Sequence, residues 1–470
     1  MTKAKKEAKS AKALKEELFS RKEHAAQRMD AKELKACDAF CKGYTAFMNQ
    51  CKTEREATDF FTAELEAKGF QAFRPGMKLT AGDKVYLNNR GKAVILATIG
   101  TAPITEGVRL CAAHIDSPRL DLKQHPLYEQ SEIGYFKTHY YGGIKKYQWT
   151  AIPLSLHGVI VRSDGEKITV RIGEDAGDPV FYITDLLPHL ATEQMKRPLA
   201  LGIKGEELNI VIGSMPFRDD DSAELVKLHL LEILHEKYGI TEDDFLSAEL
   251  EIVPAFPARE VGFDRSMIGA YGHDDRVCSY PAFRASLDTV NPVHTSVVIL
   301  TDKEETGSDG NTGLCSSYLK YFLMDLAECF GANGRHVMSA SKCLSADVNA
   351  GFDPTFPDVL EKNNCAYLNH GVCVTKFTGA RGKSGTSDAS AEFVGEIRQL
   401  LDAGNVIWQT GELGKVDMGG GGTVAAYIAN LDIDTIDVGV PVLSMHAPYE
   451  LVAKTDVWAA YRAFKVFLES

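Results

Sequence analysis

Three apolar runs in this chain show no alternation of polar and apolar residues: AVILATI at 93–99, VRLCAA at 108–113 and SVVIL at 296–300. A strand with one wet face alternates with a period of two, so uniform apolarity requires cover on both faces. Helices above and below such strands are the ordinary solution, and the sequence supplies them. SSYLKYFLMDLAECF at 316–330 has helical spacing, and TDVWAAYRAFKVFLES at 455–470 reads as a helix with Thr455 as N-cap and Asp456 in its first turn. Residues 1–70 are rich in Ala, Lys, Glu and Leu and set Phe40, Tyr44, Phe47 and Met48 at helical intervals, so they too are expected to be mostly helix. YIANLDIDTIDVGV at 427–440 adds a later strand. Strands alternating with helices predict an α/β fold in which a mixed sheet is sandwiched by helices.

Residues from about 120 to 250 break that rhythm. YGGIKKYQWT, PLSLHGVIVRSDGEKITVRIG and FYITDLLPHLA are β-rich, and Ser163-Asp164-Gly165 between two such runs is a hairpin signal. At 470 residues the chain is long enough for more than one domain. The expected organisation is a discontinuous catalytic domain, 1–119 and 251–470, with a β-rich domain inserted at 120–250.

Composition narrows the class of partner. The formal net charge of −13 argues against nucleic acid, which needs a basic surface. The locally basic first 35 residues interleave acids throughout, as a solvated helix or subunit-contact segment does. No apolar stretch reaches the roughly 18 residues of a membrane span, and the N-terminus lacks the apolar core of a secretory signal. Ten cysteines scattered singly suit free thiols in a reducing compartment, so the cytoplasm is expected.

Chemistry concentrates in five short clusters: AHID at 113–116, HDD at 273–275, KEETG at 303–307, SAD at 345–347 and SMH at 444–446. His114 ends an apolar strand, and Asp116, two residues on, can accept a hydrogen bond from whichever ring nitrogen does not bind metal. Alone, a histidine after a strand is more often structural. Asp274 and Asp275 are adjacent anions that raise each other's pKa unless a cation intervenes, although a helix N-terminus also favours aspartate. Glu304 and Glu305 follow a buried strand, where α/β folds bind ligands; one can hold metal while the other takes a proton from water. Gly307 and Gly310 suit a tight turn beside them. Asp347 and His446 each follow an apolar segment. Such carboxylate and imidazole donors accept two divalent ions, Zn, Co or Mn. The run MGGGGTVA at 418–425, which contains Gly420 and Gly421, lacks the Lys-Ser/Thr of a P-loop and suits close backbone approach to a substrate instead. HEKYG at 235–239 is not the HExxH of a zincin.

Together the clusters resemble the aspartyl aminopeptidase family of cocatalytic zinc metallopeptidases, from AHIDSPRLDLK through DLLPHLA, EETGS, SADVNAGFDP and GGGGT to SMHAPYE. The resemblance implies a zinc-exopeptidase-like catalytic domain that removes the N-terminal residue from peptides. It implies that His114, Asp274 and Asp347 hold one zinc while Asp274, Glu305 and His446 hold the other. Glu304 would be the general base, Asp116 would orient His114, and the Asp274–Asp275 peptide would be cis. It further implies that the insertion is a dimerisation domain and that the dimers build a tetrahedral homododecamer whose sites face an interior chamber.

The chain departs from the family pattern at three places. His273-Asp274-Asp275 replaces Leu-Asp-Asn around the bridging aspartate. Thr192-Glu193-Gln194 stands where many members carry a histidine that reaches the neighbouring subunit's site. The family lysine that pairs with acidic substrate side chains falls one residue later, at Lys376, and in a strand such a shift turns a side chain to the other face. A preference for N-terminal Asp or Glu therefore does not carry over. A related two-metal deacylase or peptidase, and a catalytically silent peptide-binding shell, are the alternatives; the intact acid pair Glu304-Glu305 speaks against the silent shell.

Overall fold

The computed structural model describes residues 9–20, 23–218 and 222–470. The helix expected at residues 1–8 and 21–22 lies outside them. The uniform strands sit where their composition requires. Thr295–Thr301, Val108–His114, Lys342–Ser345 and Asp434–Gly439 run parallel at the centre of a nine-stranded mixed sheet. Ala93–Thr98 and Lys84–Asn89 extend it antiparallel on one side, and Val372–Thr375 is antiparallel on the other.

Successive side chains of each central strand enter opposite cores. Val94, Leu96, Cys111, Ala113, Val298 and Leu300 pack with the helices Ala31–Gln50, Glu54–Ala67, His273–Asp288, Ala391–Ala403 and Lys454–Glu469. Their neighbours Ile95, Ala97, Leu110, Ala112, Val297 and Ile299 pack with Tyr318–Glu328, Gly334–Ser339 and Ala425–Ala429. All twelve of these strand side chains are fully buried, which is why no polar residue interrupts them.

The helical reading of residues 1–70 holds for Ala11–Leu18, Ala25–Arg28, Ala31–Gln50 and Glu54–Ala67. Asp30 caps the third of these by accepting from Glu33 N, and Thr53 with Glu56 forms a capping box on the fourth. The final helix differs from expectation. It starts at Lys454, so Thr455 lies inside its first turn and donates to Asn369 Oδ1 at 3.1 Å. The Asp456 carboxylate accepts from Asn369 N and Gly371 N, both at 2.7 Å, tying the helix to the strand loop below it.

Residues 119–254 supply a separate antiparallel sheet of seven strands. Ala248–Pro254 pairs with both Arg119–Gln130 and Pro153–Val161 and thereby closes it into a barrel. Its core, around Trp149, Leu154, Phe136, Ile210 and Phe245, is distinct from the two cores of the central sheet. The hairpin expected at Ser163-Asp164-Gly165 joins Pro153–Val161 to Lys167–Ile172, with Gly165 at φ +86°. A third sheet, of five strands, carries Met267–Ala270, Glu450–Ala453 and Pro441–Leu443 beside the carboxyl edge of the central sheet. Among the described residues, no helix is long and apolar enough to cross a membrane.

Candidate metal centre

Three of the four parallel strands, Val108–His114, Thr295–Thr301 and Lys342–Ser345, end with a candidate metal-binding side chain at or just beyond their last residue. His114 is the last residue of Val108–His114. Glu304 and Glu305 occupy a single 3-10 turn just after Thr295–Thr301, entered through Lys303 at φ +68° and left through Gly307 at φ +91°. Asp347 lies two residues beyond Lys342–Ser345, and His446 lies in the loop between Pro441–Leu443 and Glu450–Ala453. Asp274 arrives from the third sheet, just after Met267–Ala270. Both Asp274 and Asp275 have non-helical backbone, and the peptide between them is cis. The helix proper runs on from these two residues.

Asp274 stands between the histidines. Its Oδ1 is 3.1 Å from His114 Nε2, and its Oδ2 is 3.2 Å from His446 Nε2. Around His114 Nε2 lie Glu304 Oε2 at 3.8 Å and Asp347 Oδ1 at 3.9 Å; Glu305 Oε2 is 3.6 Å from His446 Nε2. Three overlapping donor groups result: His114, Asp275 and Asp347; His114, Glu304 and Glu305; and Asp274, Glu305 and His446. Within each, the donor atoms lie inside 4.8 Å of one another. Asp275 had no assigned role from sequence, and here it joins the His114 side; its Oδ2 also accepts from His114 N at 3.3 Å.

So many acids in one buried place conflict electrostatically. Burial, reinforced by Glu304, pushes Asp347 well above the carboxylate range, and burial reinforced by Asp274 does the same to Glu305. Burial chiefly lifts Glu304 to about 7. Asp274 instead falls well below its ordinary value, because bonds to His114 and His446 outweigh its burial. Burial would lower His446, but Asp274 and Glu305 prevail and push it up to about 10. Glu305 Oε1 and Asp275 Oδ1 are buried and meet no hydrogen-bond donor among the described residues. Buried carboxylate oxygens without donors are unfavourable unless a cation meets them, and imidazole with carboxylate is a zinc donor set. The residues therefore fit divalent ions.

The family follows from sequence and fold together. The pattern of the Aminopeptidase I zinc metalloproteases, M18, matches residues 47–468. The chain is 46% identical over 462 residues to the probable M18 family aminopeptidase 1 of Clostridium acetobutylicum, covering 97% of this chain and 99% of that one. The chain belongs to the M18 family. An M18 aminopeptidase structure from Thermotoga maritima superposes with a TM-score of 0.91 at 43% identity, covering 96% of this chain and all of the other. The mApe1 dodecamer of S. cerevisiae shares the fold at 20% identity and a TM-score of 0.74, over 92% of this chain and 97% of that one. As an M18 member, the chain is a zinc aminopeptidase.

Around the M18 centre stand groups that sequence reasoning pointed to only in part. His114 Nδ1 faces the backbone oxygen of Asp116 at 3.0 Å and its carboxylate Oδ1 at 3.3 Å. That carboxylate also accepts from Glu304 N at 3.1 Å and Glu305 N at 3.2 Å, so Asp116 orders the acid pair as well as the histidine. Tyr141 OH donates to Asp116 Oδ2 at 2.8 Å, and Gly143 O accepts from His446 Nδ1 at 2.7 Å. Glu450, fully buried, accepts from His446 N at 2.7 Å and Asp274 N at 3.1 Å, joining the two loops that carry those residues. None of these three was named from the sequence. Glu450 was visible as an acid four residues after His446; nothing in the sequence marked Tyr141 or Gly143, which come from the barrel.

The expected substrate-binding residues make contacts of their own. Lys376 pairs with Asp388, which also binds Lys383 at 2.9 Å. The close approach that requires glycine at position 420 is to the chain's own backbone: φ is +102°, and a Cβ there would sit 2.5 Å from Ala380 Cα. Gly421 N donates to Thr378 O at 3.3 Å. Thr192–Met195 is a short exposed helix, with Gln194 Nε2 donating to Asp185 Oδ1 at 2.9 Å.

Proposed function

We propose that this zinc aminopeptidase works with two metal ions and a glutamate base on peptides with a free N-terminus. The observation that carries the reading is Asp274, whose two oxygens face one histidine each at nearly equal distance, as a bridging carboxylate would. His114, Asp274 and Asp347 would hold one zinc, and Asp274, Glu305 and His446 the other, with Asp275 close to the first. Bound zinc would supply an acidified water and positive charge against the developing oxyanion. Asp116 fixes the His114 ring and, through two backbone N–H groups, the turn that presents Glu304. Glu304 takes the proton of the attacking water and returns it to the departing amine. Lys376, Gly420 and Gly421 stay proposed as substrate-side residues.

The domain division proposed is 1–119 with 251–470 as the catalytic domain and 120–250 as the insertion, acting in dimerisation. Leu186, Leu187, Leu190, Met195, Leu199 and Leu201 support this, because all six are at least half exposed within one segment of the insertion. A homododecamer is proposed from the assembly of the yeast relative. The cytoplasm is proposed from the ten singly scattered cysteines.

A panel of aminoacyl chromogenic substrates beside N-blocked equivalents tests the reading. Release from free amines alone, abolished by chelation and restored by zinc, is the expected outcome. Equal or greater turnover of blocked substrates would reassign the enzyme as a deacylase.

A further inference from the structure

The barrel's strand Ile133–Tyr141 ends against the metal centre, and its exit, Tyr141-Gly142-Gly143, touches Glu305 and His446 on one side of it and, on the other, Asp116 behind His114. Tyr141 OH bonds Asp116, which faces His114. The Tyr141 ring is held in turn, with the Arg119 guanidinium 3.9 Å from its centroid. Arg119 is itself fixed by Glu54 at 3.2 Å, Asp121 at 2.8 Å and Glu251 at 3.4 Å. Gly142, at φ +75°, lies so near Glu305 that a Cβ would stand 3.3 Å from both its Cβ and its Oε2. A Cβ on Gly143 would stand 3.3 Å from His446 Nδ1, the atom its carbonyl accepts from.

These contacts have a definite chemical consequence. Occupying Nδ1 of His446 with the Gly143 carbonyl leaves Nε2 as the free donor, and Asp116 does the same for His114. Of the two rings, His446 is the less enclosed, its side chain 37% exposed, so one carbonyl carries much of its orientation. We propose that Tyr141-Gly142-Gly143 is a positioning segment through which the inserted barrel sets the zinc affinity of both sides of the centre. The proposal rests on the two-ion reading above.

Zinc release from the full-length chain, followed with a metallochromic chelator, tests it. His114→Ala and His446→Ala proteins identify which release step belongs to which ion. Tyr141→Phe keeps the ring over Arg119 and removes only the hydroxyl; acting through Asp116, it weakens the His114-side ion measurably but by no more than the roughly 10–100-fold that follows loss of a direct partner of a ligating histidine. Gly143→Ala weakens the His446-side ion on the same scale. Tyr140→Phe, an exposed neighbour, releases zinc as wild type does. The metal-free proteins all unfold at the wild-type temperature, which a merely structural role for Tyr141 would not allow. Zinc release by Tyr141→Phe indistinguishable from Tyr140→Phe overturns the proposal, and this variant decides the matter if Gly143→Ala does not fold. A wild-type chain that takes up fewer than two zinc ions sinks the two-ion reading instead, a result separable from unaltered variants of a two-zinc protein.

Discussion

At Glu304 and Glu305, two chemically identical neighbours are set apart by where the chain turns. Glu305 is nearly sealed, with its Oε2 toward His446, whereas Glu304 keeps 19% of its side chain exposed beside His114. A ligand benefits from enclosure, and a proton carrier needs access to water and to the leaving amine. Glu304→Gln preserves shape and removes the proposed base, so kcat should fall by about 10²–10⁴-fold while zinc content stays at the wild-type level, read by metal analysis of the same preparation. Zinc lost with activity would make Glu304 a ligand instead. The pair was legible in the sequence because acids after a buried strand stand out. Glu450 was not, because its function is to accept two backbone N–H groups, and no residue pattern announces a backbone partner.

Among the elements, the central strands were the most readable and the barrel the least. Uniform runs such as SVVIL name a two-sided core without any knowledge of what covers it. The final helix shows where local reasoning fails: Thr455 and Asp456 have capping chemistry, yet Asn369 and the backbone N–H of Gly371 lie closer to them in space and take those bonds. Barrel closure has a comparable hidden condition at Gly158. Its φ is +129°, and a Cβ would sit 2.0 Å from Glu249 O on the paired strand. Gly158→Ala should destabilise the chain by at least about 1–3 kcal/mol, seen as a lower denaturation midpoint. An unchanged midpoint would mean that the two strands separate at no cost.

Across the whole molecule, the barrel is tied to the helix Glu54–Ala67 and the residues just before it by a largely buried cluster. His157, on a barrel strand, has Nδ1 2.8 Å from Glu56 of the helix Glu54–Ala67 and Nε2 3.1 Å from Glu174; Lys52 bonds Glu174 at 2.8 Å, and Arg171 stands 3.7 Å from Glu56. Burial would lower His157, but Glu174 and Glu56 raise it above its ordinary 6.5. Burial would raise Glu174, but His157 and Lys52 hold it down at about 2, against an ordinary 4.5. A raised histidine contributes stability in full below 6.5 and loses it as pH climbs through the higher folded value. A depressed glutamate contributes in full above 4.5 and loses it as pH falls toward about 2. The gap in unfolding temperature between wild type and His157→Gln should therefore be widest between pH 4.5 and 6.5 and narrow on either side. A gap independent of pH would show that His157 acts only by packing.

The amino-acid sequence alone determined the α/β layering, the positions of the strand ends and the five clusters that those ends present, because burial of apolar runs and the chemistry of acids and imidazoles are properties of short segments. Which oxygen faces which nitrogen, and that a barrel tyrosine and a glycine carbonyl stand behind the two histidines, was decided only by tertiary structure. Those contacts join residues from 25 to 303 positions apart, and at such distances only the packing of whole elements fixes where an atom lies.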